Sequence, residues 1–381
     1  MINKKTLFSI VAILFFFSIY AYVPQLSNYA KELGASYKLI GLIGGVYGLS
    51  QTILRLPIGI ISDKLGLRKI FIVMGIMCAV ISASLLYSFP NPYSLLWARL
   101  IAGAAVATWV NFTTLYISYY DPEESSKAVG IINADSKLGQ LFAMFIGGFV
   151  AIRFGIRAIF LLSIIISLIS LFIGFFIHEE KIKRDKTITV SKYGLLSIIK
   201  DKRIMHISLL AALLQFITFS TNFGFTPIIA ANLGANNLQL GFLTTLFTLP
   251  QVIFSILANT IMTKRFGQKN SLSLGFVLIT IICFITPFVP NLGMLFALQI
   301  IAGIGNSIVF SLLMAMVISG VRKEVMTTTM AMFQAIYGSG MVVGPIILGI
   351  FGDLFGLTVG FLIVGSLGLF AIYSANRLKY I

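Results

Sequence analysis

Apolar residues run along this chain in stretches too long for ordinary soluble helices, with short polar gaps between them. A helix rises about 1.5 Å per residue, so crossing a hydrocarbon core of about 30 Å takes about 20 apolar residues. Twelve such stretches occur, at 7–29, 38–62, 70–89, 93–118, 127–151, 156–177, 204–231, 238–263, 270–289, 292–319, 325–350 and 356–376, and they predict twelve membrane-spanning helices, spans one to twelve. One connection is long, His178 to Arg203, and it separates six spans from six. Residues 1–177 and 204–381 are therefore expected to form two six-helix bundles, joined by a linker over 178–203. Either a short amphipathic helix at Lys192 to Lys200 or a solvated basic tether accounts for the linker. Lys4 and Lys5 ahead of an apolar core resemble a signal peptide. Thr6 to Val23, however, is longer than a signal core of about 7 to 15 residues and carries no clear small-residue cleavage site, so span one is expected to be retained.

Of the 381 residues 58% are hydrophobic and 10% charged, against about 25% charged in soluble domains, which excludes a water-soluble globular protein. The formal net charge of +16 would suggest nucleic acid in a soluble chain, but here Lys and Arg occupy the gaps between apolar runs. The expected partner is the bilayer, with no nucleic acid. Alternate connections hold 21 of the 28 basic residues on the side of the N-terminus and four, Lys31, Lys38, Arg153 and Arg157, on the other; Arg55, Arg99 and Lys137 lie inside spans. By the positive-inside rule both termini and the linker are cytoplasmic in a multi-pass protein of the cytoplasmic membrane. Cys78 and Cys283 fall in apolar runs, and the sequence has no metal-binding cluster and no ATP-binding loop. No cofactor, metal or enzymatic chemistry is expected, so any transport would draw on an ion gradient or on the solute gradient.

The two halves repeat each other. At an offset of 200, Leu33-Gly34-Ala35 recurs as Leu233-Gly234-Ala235, Gly41 as Gly241, Gln51 as Gln251, and Ile101-Ala102-Gly103 as Ile301-Ala302-Gly303. At 201, Gly66 recurs as Gly267, Gly139 as Gly340, Gly148 as Gly349, and Phe154-Gly155 as Phe355-Gly356. An offset of six spans is even, so both halves enter the membrane in the same sense. That is a parallel duplication with substrate expected at the interface of the halves.

After span two comes Gly59, then Asp63-Lys64, Gly66 and Arg68-Lys69. A glycine four residues before an aspartate admits a neighbouring helix, whose N-terminal N–H groups the carboxylate can accept. This loop resembles the signature GxxxD(R/K)xGRK of the major facilitator superfamily, with Leu67 in place of the first of the usual basic pair. The resemblance covers essentially the whole chain. It implies an all-α membrane protein of twelve transmembrane helices in two six-helix bundles, and a secondary transporter working by alternating access. The second copy of the loop has Lys264 where Asp63 stands, so only Asp63 is a candidate latch, expected to meet the start of span eleven near Val325 to Thr328. Arg99-Leu-Ile-Ala-Gly103 looks like the superfamily's RxxxG element of span four, whose arginine is tied to proton coupling in family members. The exporter element GxxxGPxxGG is weakened in span five, where Ala143-Met144 follow Gly139, and partly kept in span eleven as Gly340, Gly344-Pro345 and Gly349. These glycine stripes are expected to allow close packing between the halves.

Charges inside spans are confined to the first half: Arg55, Arg99, Asp135 and Lys137. Asp135 is the only carboxylate well inside a span and is the candidate for proton coupling; the alternative is a structural ion pair bridging the halves. Three cations against one carboxylate favour an anionic, zwitterionic or neutral solute over a lipophilic cation. Neutral polar and aromatic candidates for a central cavity are Tyr22, Gln25, Tyr47, Gln51, Trp109 and Asn111 in the first half. In the second they are Asn222, Gln251, Gln299, Asn306, Gln334 and Tyr337. The leading expectation is a monomeric, proton-coupled transporter of a small organic solute, with efflux by antiport favoured. The alternatives are a sugar or organic-anion uptake symporter and, from another class, a non-transporting membrane receptor.

Overall fold

The computed structural model describes residues 3–121, 124–179, 201–257, 262–319, 321 and 323–378, and among these it contains helices and no strand. Among the described residues eleven helices are long and apolar enough to cross a membrane: Lys4–Glu32, Tyr37–Ser62, Lys69–Ser88, Pro92–Ile117, Lys127–Phe154, Ile156–Gly174, Lys202–Asn232, Thr263–Phe288, Leu292–Ile318, Thr329–Phe355 and Leu357–Asn376. They are spans one to seven and nine to twelve. The helix Asn237–Leu257 is span eight, whose continuation over 258–261 falls outside the described residues. The proposed linker helix at 192–200 also lies outside them.

Local chemistry sets the span ends. Asn91 and Asn291, related by the offset of 200, cap spans four and ten by accepting from Ser94 N and Met294 N at 2.9 Å each, and Asp201 caps span seven through Arg203 N and Ile204 N. Spans one and seven both break partway along their length. The first stops at Tyr20 and restarts at Val23 with Pro24; the second opens into a π-helical turn, Thr221–Phe225, before Thr226 and Pro227. Proline has no N–H to give to the preceding turn, so each break stands where the sequence places one.

The chain divides into two compact units: Met1–Gly34, Leu49–Arg184 and Asn236–Phe242 form the first, and Ala35–Gly48, Asp185–Ala235 and Leu243–Ile381 the second. Within the first, span one packs on spans five and six, and span three on spans four and six; within the second, span seven packs on eleven, ten and twelve, and span nine on ten and twelve. The first segments of spans two and eight thus belong to the unit other than the one that holds the rest of their helix. Glycine is the reason. A Cβ on Gly45 would lie 2.8 Å from Val342 O, and one on Gly41 would run into Pro345 O, so the start of span two lies backbone to backbone on span eleven. The repeat does the same again: a Cβ on Gly148 of span five would lie 2.9 Å from Asn237 O and 3.2 Å from the Gly241 Cα of span eight.

The two junctions differ in how the incoming helix is capped. Span eight begins with a reciprocal box, Asn236 Oδ1 accepting from Gln239 N at 3.0 Å and Gln239 Oε1 from Asn236 N at 2.9 Å. The corresponding pair in span two is Ser36 and Leu39, and leucine cannot return the bond. Asp353 of span eleven supplies what is missing: Oδ1 accepts from Tyr37 N at 2.7 Å and Oδ2 from Lys38 N at 2.8 Å. A carboxylate on a helix N-terminus is worth about 0.3 to 1 kcal/mol when exposed, as here. Asp353→Asn keeps one acceptor and removes the charge, and is expected to loosen this end of span two. The check is the labelling rate of a Ser36→Cys probe by a membrane-impermeant maleimide, which should rise in the Asp353→Asn background; an unchanged rate refutes the capping role.

Candidate functional site

The signature loop turns at Gly66, whose φ of +66° is one that L side chains rarely adopt, and Leu67 N reaches back to Ser62 O at 3.2 Å. Glu179, the first carboxylate after span six, caps the next helix: its Oε1 accepts from Arg68 N and its Oε2 from Lys69 N at 3.1 Å, while Lys69 Nζ donates to Phe175 O at 2.7 Å. The loop is thereby tied to the end of span six. Sequence reasoning had placed Glu179 in the linker and missed this; the available signal was an acidic residue on the same membrane side as a helix N-terminus. Gly59 does not provide the expected close approach. A Cβ there would meet only Val110 methyls at 3.9 and 4.0 Å, an ordinary contact, because span two makes its close approach at Gly41 to Gly48 instead. The Asp63 side chain and those of 323–328 lie outside the described residues, and so does the expected latch; Lys64 is exposed.

Asp135 is 8% exposed, and the stripe it shares with Gly139, Ala143 and Gly147 faces span one. Ile13 O and the Ala21 carbonyl fill the spaces where Cβ atoms of Gly139 and Gly147 would lie. These glycines serve packing inside the first unit, not packing between the halves as their pattern had suggested. In the second unit Gly340 and Gly344 pack the same way on Ala212, Phe216 and Ser220 of span seven, whereas Pro345 lies against Gly41 and Gly44. The Asp135 carboxyl lies within reach of the Ser9 hydroxyl of span one, and its Oδ2 has no hydrogen-bond partner among the described residues. Lys137, two positions on, is exposed and reaches Gln140 Oε1 at 3.4 Å, in keeping with i and i+2 pointing apart on a helix.

The other first-half candidates are placed as follows. Arg99 is 6% exposed in span four, one turn before the buried Gly103, and Arg55 and Gln51 are half-buried in span two. Trp109 meets Phe16 edge-on, with centroids 4.8 Å apart, and Asn111 is buried beside it in the chain. Tyr22 packs edge-on against Phe160 at 5.9 Å, and Gln25 Nε2 donates to Asn237 O at 3.0 Å, which makes Gln25 part of the junction with span eight. Tyr47 is buried in the segment of span two that belongs to the second unit.

In the second unit the structure brings the neutral groups together near the π-helical turn. Asn306 Nδ2 donates to Thr218 Oγ1 at 2.6 Å, Asn222 Nδ2 to Thr221 Oγ1 at 3.2 Å, Gln251 Nε2 to Phe247 O at 3.0 Å and Ser307 Oγ to Gln251 O at 3.0 Å. Thr221, Asn222, Thr226 and Thr286 line a small cavity with Cys283, and Gln299 is buried in span ten. Tyr337 packs edge-on with Phe310 and Phe333 at 5.7 and 5.4 Å, and Gln334 is half-buried one turn away. Among the described residues no group of three His, Cys, Asp or Glu side chains could hold a metal.

The profile of the Major Facilitator Superfamily matches residues 8–228 and 207–377. An uncharacterized MFS-type transporter of Methanocaldococcus jannaschii is 27% identical over 88% of this chain and 87% of its own length. A multi-drug resistance efflux pump of Streptococcus pneumoniae is 32% identical over 38% of this chain and 37% of the pump, and several other curated relatives are likewise matched over less than half their length. Among solved structures, the nucleoside transporter NupG superposes over 100% of both chains with a TM-score of 0.80 at 17% identity, which speaks for the fold. With two profile matches that together take in nearly the whole chain, on a duplicated all-helical fold, this multi-pass membrane protein belongs to the major facilitator superfamily of transporters.

Proposed function

We propose that this transporter moves a small organic solute by alternating access, couples the movement to protons through Asp135, and works in the direction of export. The observation that carries the reading is the placement of Asp135: a carboxyl buried on the face that packs against span one, beside the Ser9 hydroxyl, with its Oδ2 unbonded among the described residues. A group so placed can bind and release a proton as its surroundings change. The neutral cluster around Thr218, Asn222 and Asn306 is suited to hydrogen-bonding a solute, and the likeness to an efflux pump supports export. Buried Arg99 and exposed Lys137 favour a second reading, uptake of an organic anion together with protons.

The test is flux into liposomes holding the purified full chain, with an imposed pH gradient and a panel of organic anions, zwitterions, nucleosides, sugars and lipophilic cations. Antiport predicts that at least one anionic, zwitterionic or neutral solute accumulates in acid-loaded liposomes and that a protonophore abolishes the accumulation. Accumulation driven instead by external acid supports the symport reading. No gradient dependence for any solute refutes both.

A further inference from the structure

Asp135 lies more than two helical turns inside span five, yet a string of hydroxyls leads from it to the membrane face where span one begins. Two i,i+4 pairs produce it. Lys5 and Ser9 share a face of span one, and Tyr116 and Tyr120 share a face at the end of span four, so packing those faces together interleaves the side chains. The Asp135 carboxyl lies within reach of the Ser9 hydroxyl; Ser9 Oγ lies 3.2 Å from Tyr116 Oη; and Tyr116 Oη lies 3.1 Å from Tyr120 Oη. Lys5 Nζ sits 3.5 Å from the Tyr120 ring centroid and closes the string at the charged membrane face. All of these residues belong to the first unit.

From this geometry we infer that Ser9, Tyr116 and Tyr120 form a proton relay through which Asp135 exchanges its proton with the basic side of the membrane, the side the Lys and Arg count assigns to the cytoplasm. The inference rests on Asp135 being the coupling carboxyl. Serine and tyrosine hydroxyls each donate and accept, so the string can point either way. With Asp135 ionised, Tyr120 donates to Tyr116, Tyr116 to Ser9 and Ser9 to the carboxylate. With Asp135 protonated, every bond reverses. Protonating Asp135 breaks one O–H bond and forms one at each of the three hydroxyl oxygens: a proton enters at Tyr120 Oη from water, one O–H bond forms on the Asp135 carboxylate, and nothing is oxidised or reduced.

Packing alone does not call for these hydroxyls. Tyr116 lies against Phe8 and Tyr119, contacts that a phenylalanine ring would make equally well. The repeat makes the same point: at the offsets of 200 and 201 the counterparts of Ser9, Tyr116 and Asp135 are Leu209, Met316 and Ile336, all apolar. The second half builds the same helices without the string. The charged or titratable groups on the elements around Asp135 are Lys4, Lys5, Tyr20, Tyr22, Tyr29, Lys31 and Glu32 of span one, Tyr93, Arg99, Tyr116, Tyr119 and Tyr120 of span four and its end, Lys127, Lys137 and Arg153 of span five itself, and Arg157 of span six; of these, Tyr116 and Tyr120 are the ones linked to Ser9 by hydroxyl hydrogen bonds. Lys137 is turned to Gln140, and Arg157 is held at the opposite end by Tyr87 O. The hydroxyl string is the route that leads outward from the carboxyl.

The relay is tested on the full chain in liposomes without any solute, by following the Asp135 carboxyl infrared band after a light-triggered proton release; Asp135→Asn identifies the band. Tyr116→Phe and Ser9→Ala should slow its protonation at least about tenfold, the low side of what positioned proton-transfer groups contribute. Tyr119→Phe is the control, because that hydroxyl donates to His178 O and lies off the string. Rates within about twofold of wild type in Tyr116→Phe and Ser9→Ala overturn the relay, as does equal slowing in Tyr119→Phe or a band that never titrates. The coupling reading fails separately, when Asp135→Asn keeps wild-type proton-driven solute flux.

Discussion

Asp135→Asn is expected to abolish proton-driven solute flux while leaving exchange of solute at equal concentrations on both sides intact. Asparagine has the shape of aspartate, and span five packs on span one through Gly139 and Gly147, so that packing survives the change. What is lost is the choice between a charged and a neutral state. A carboxylate carried into the interior of a membrane helix costs about 2.5 to 3.5 kcal/mol on insertion scales, which is about 100-fold in a population, and that is the size of the bias a bound proton removes. Net flux should therefore fall by about that factor and lose its dependence on pH. Exchange requires only that the solute-loaded form cross and return, so it should remain within a few-fold of wild type. The measurement is a pair of assays on the same liposomes, one with a pH gradient and one with equilibrated labelled solute. Loss of both activities would show a structural role for Asp135, and loss of neither would show no role in coupling.

Gly147→Ala and Gly340→Ala are expected to destabilise the protein, and Gly130→Ala to stabilise it, although all three replace a helical glycine with the best helix former. Propensity alone favours alanine by about 0.5 to 1 kcal/mol. At Gly130 nothing lies within 4 Å of the added carbon, so propensity decides. At Gly147 the methyl group runs into the Ala21 carbonyl, and at Gly340 into Ala212 O with Phe216 N at 2.8 Å. Backbone atoms cannot rotate out of the way, so the helices must separate, and overpacking of this kind costs typically about 1 to 3 kcal/mol. The check is thermal unfolding in detergent micelles: Gly130→Ala should melt at or above wild type and the other two below it. The same sign for all three would mean that these close contacts do not hold the spans together.

The positions and ends of the spans were legible in the chain because they rest on local quantities. About 20 apolar residues cover a bilayer whatever the neighbours are, and Asn91 and Asn291 cap the helices that follow them. The duplication and the signature loop were legible for the same reason, and with them the family. The breaks at Pro24 and Pro227 were not legible in this way, since Pro57, Pro250 and Pro345 lie inside continuous helices of the same chain. Nor were Glu179 and Asp353. Each is an acidic residue near a span end, and nothing in its surroundings along the chain shows that its carboxylate takes two backbone N–H groups from a helix 110 or 316 residues away. Ser9, Tyr116 and Tyr120 likewise look like minor polar interruptions of apolar runs until two helix faces are laid together.

Glycine shows where the boundary falls. The pattern Gly139, Gly147 and Gly148 says that span five approaches other helices closely, and it says nothing about which ones. Successive residues on a helix point about 100° apart, so Gly147 faces span one and Gly148 faces span eight. In span eleven Gly344 faces span seven while Pro345 faces span two. By itself the sequence determined that there are twelve spans, in two like halves, with a carboxyl buried in the first, because hydrophobic length, capping and repetition are written residue by residue. Tertiary structure alone decided which faces meet and which polar groups become neighbours, because hydrogen bonds and van der Waals contacts act over a few ångströms in space, between groups separated by a hundred residues or more of chain.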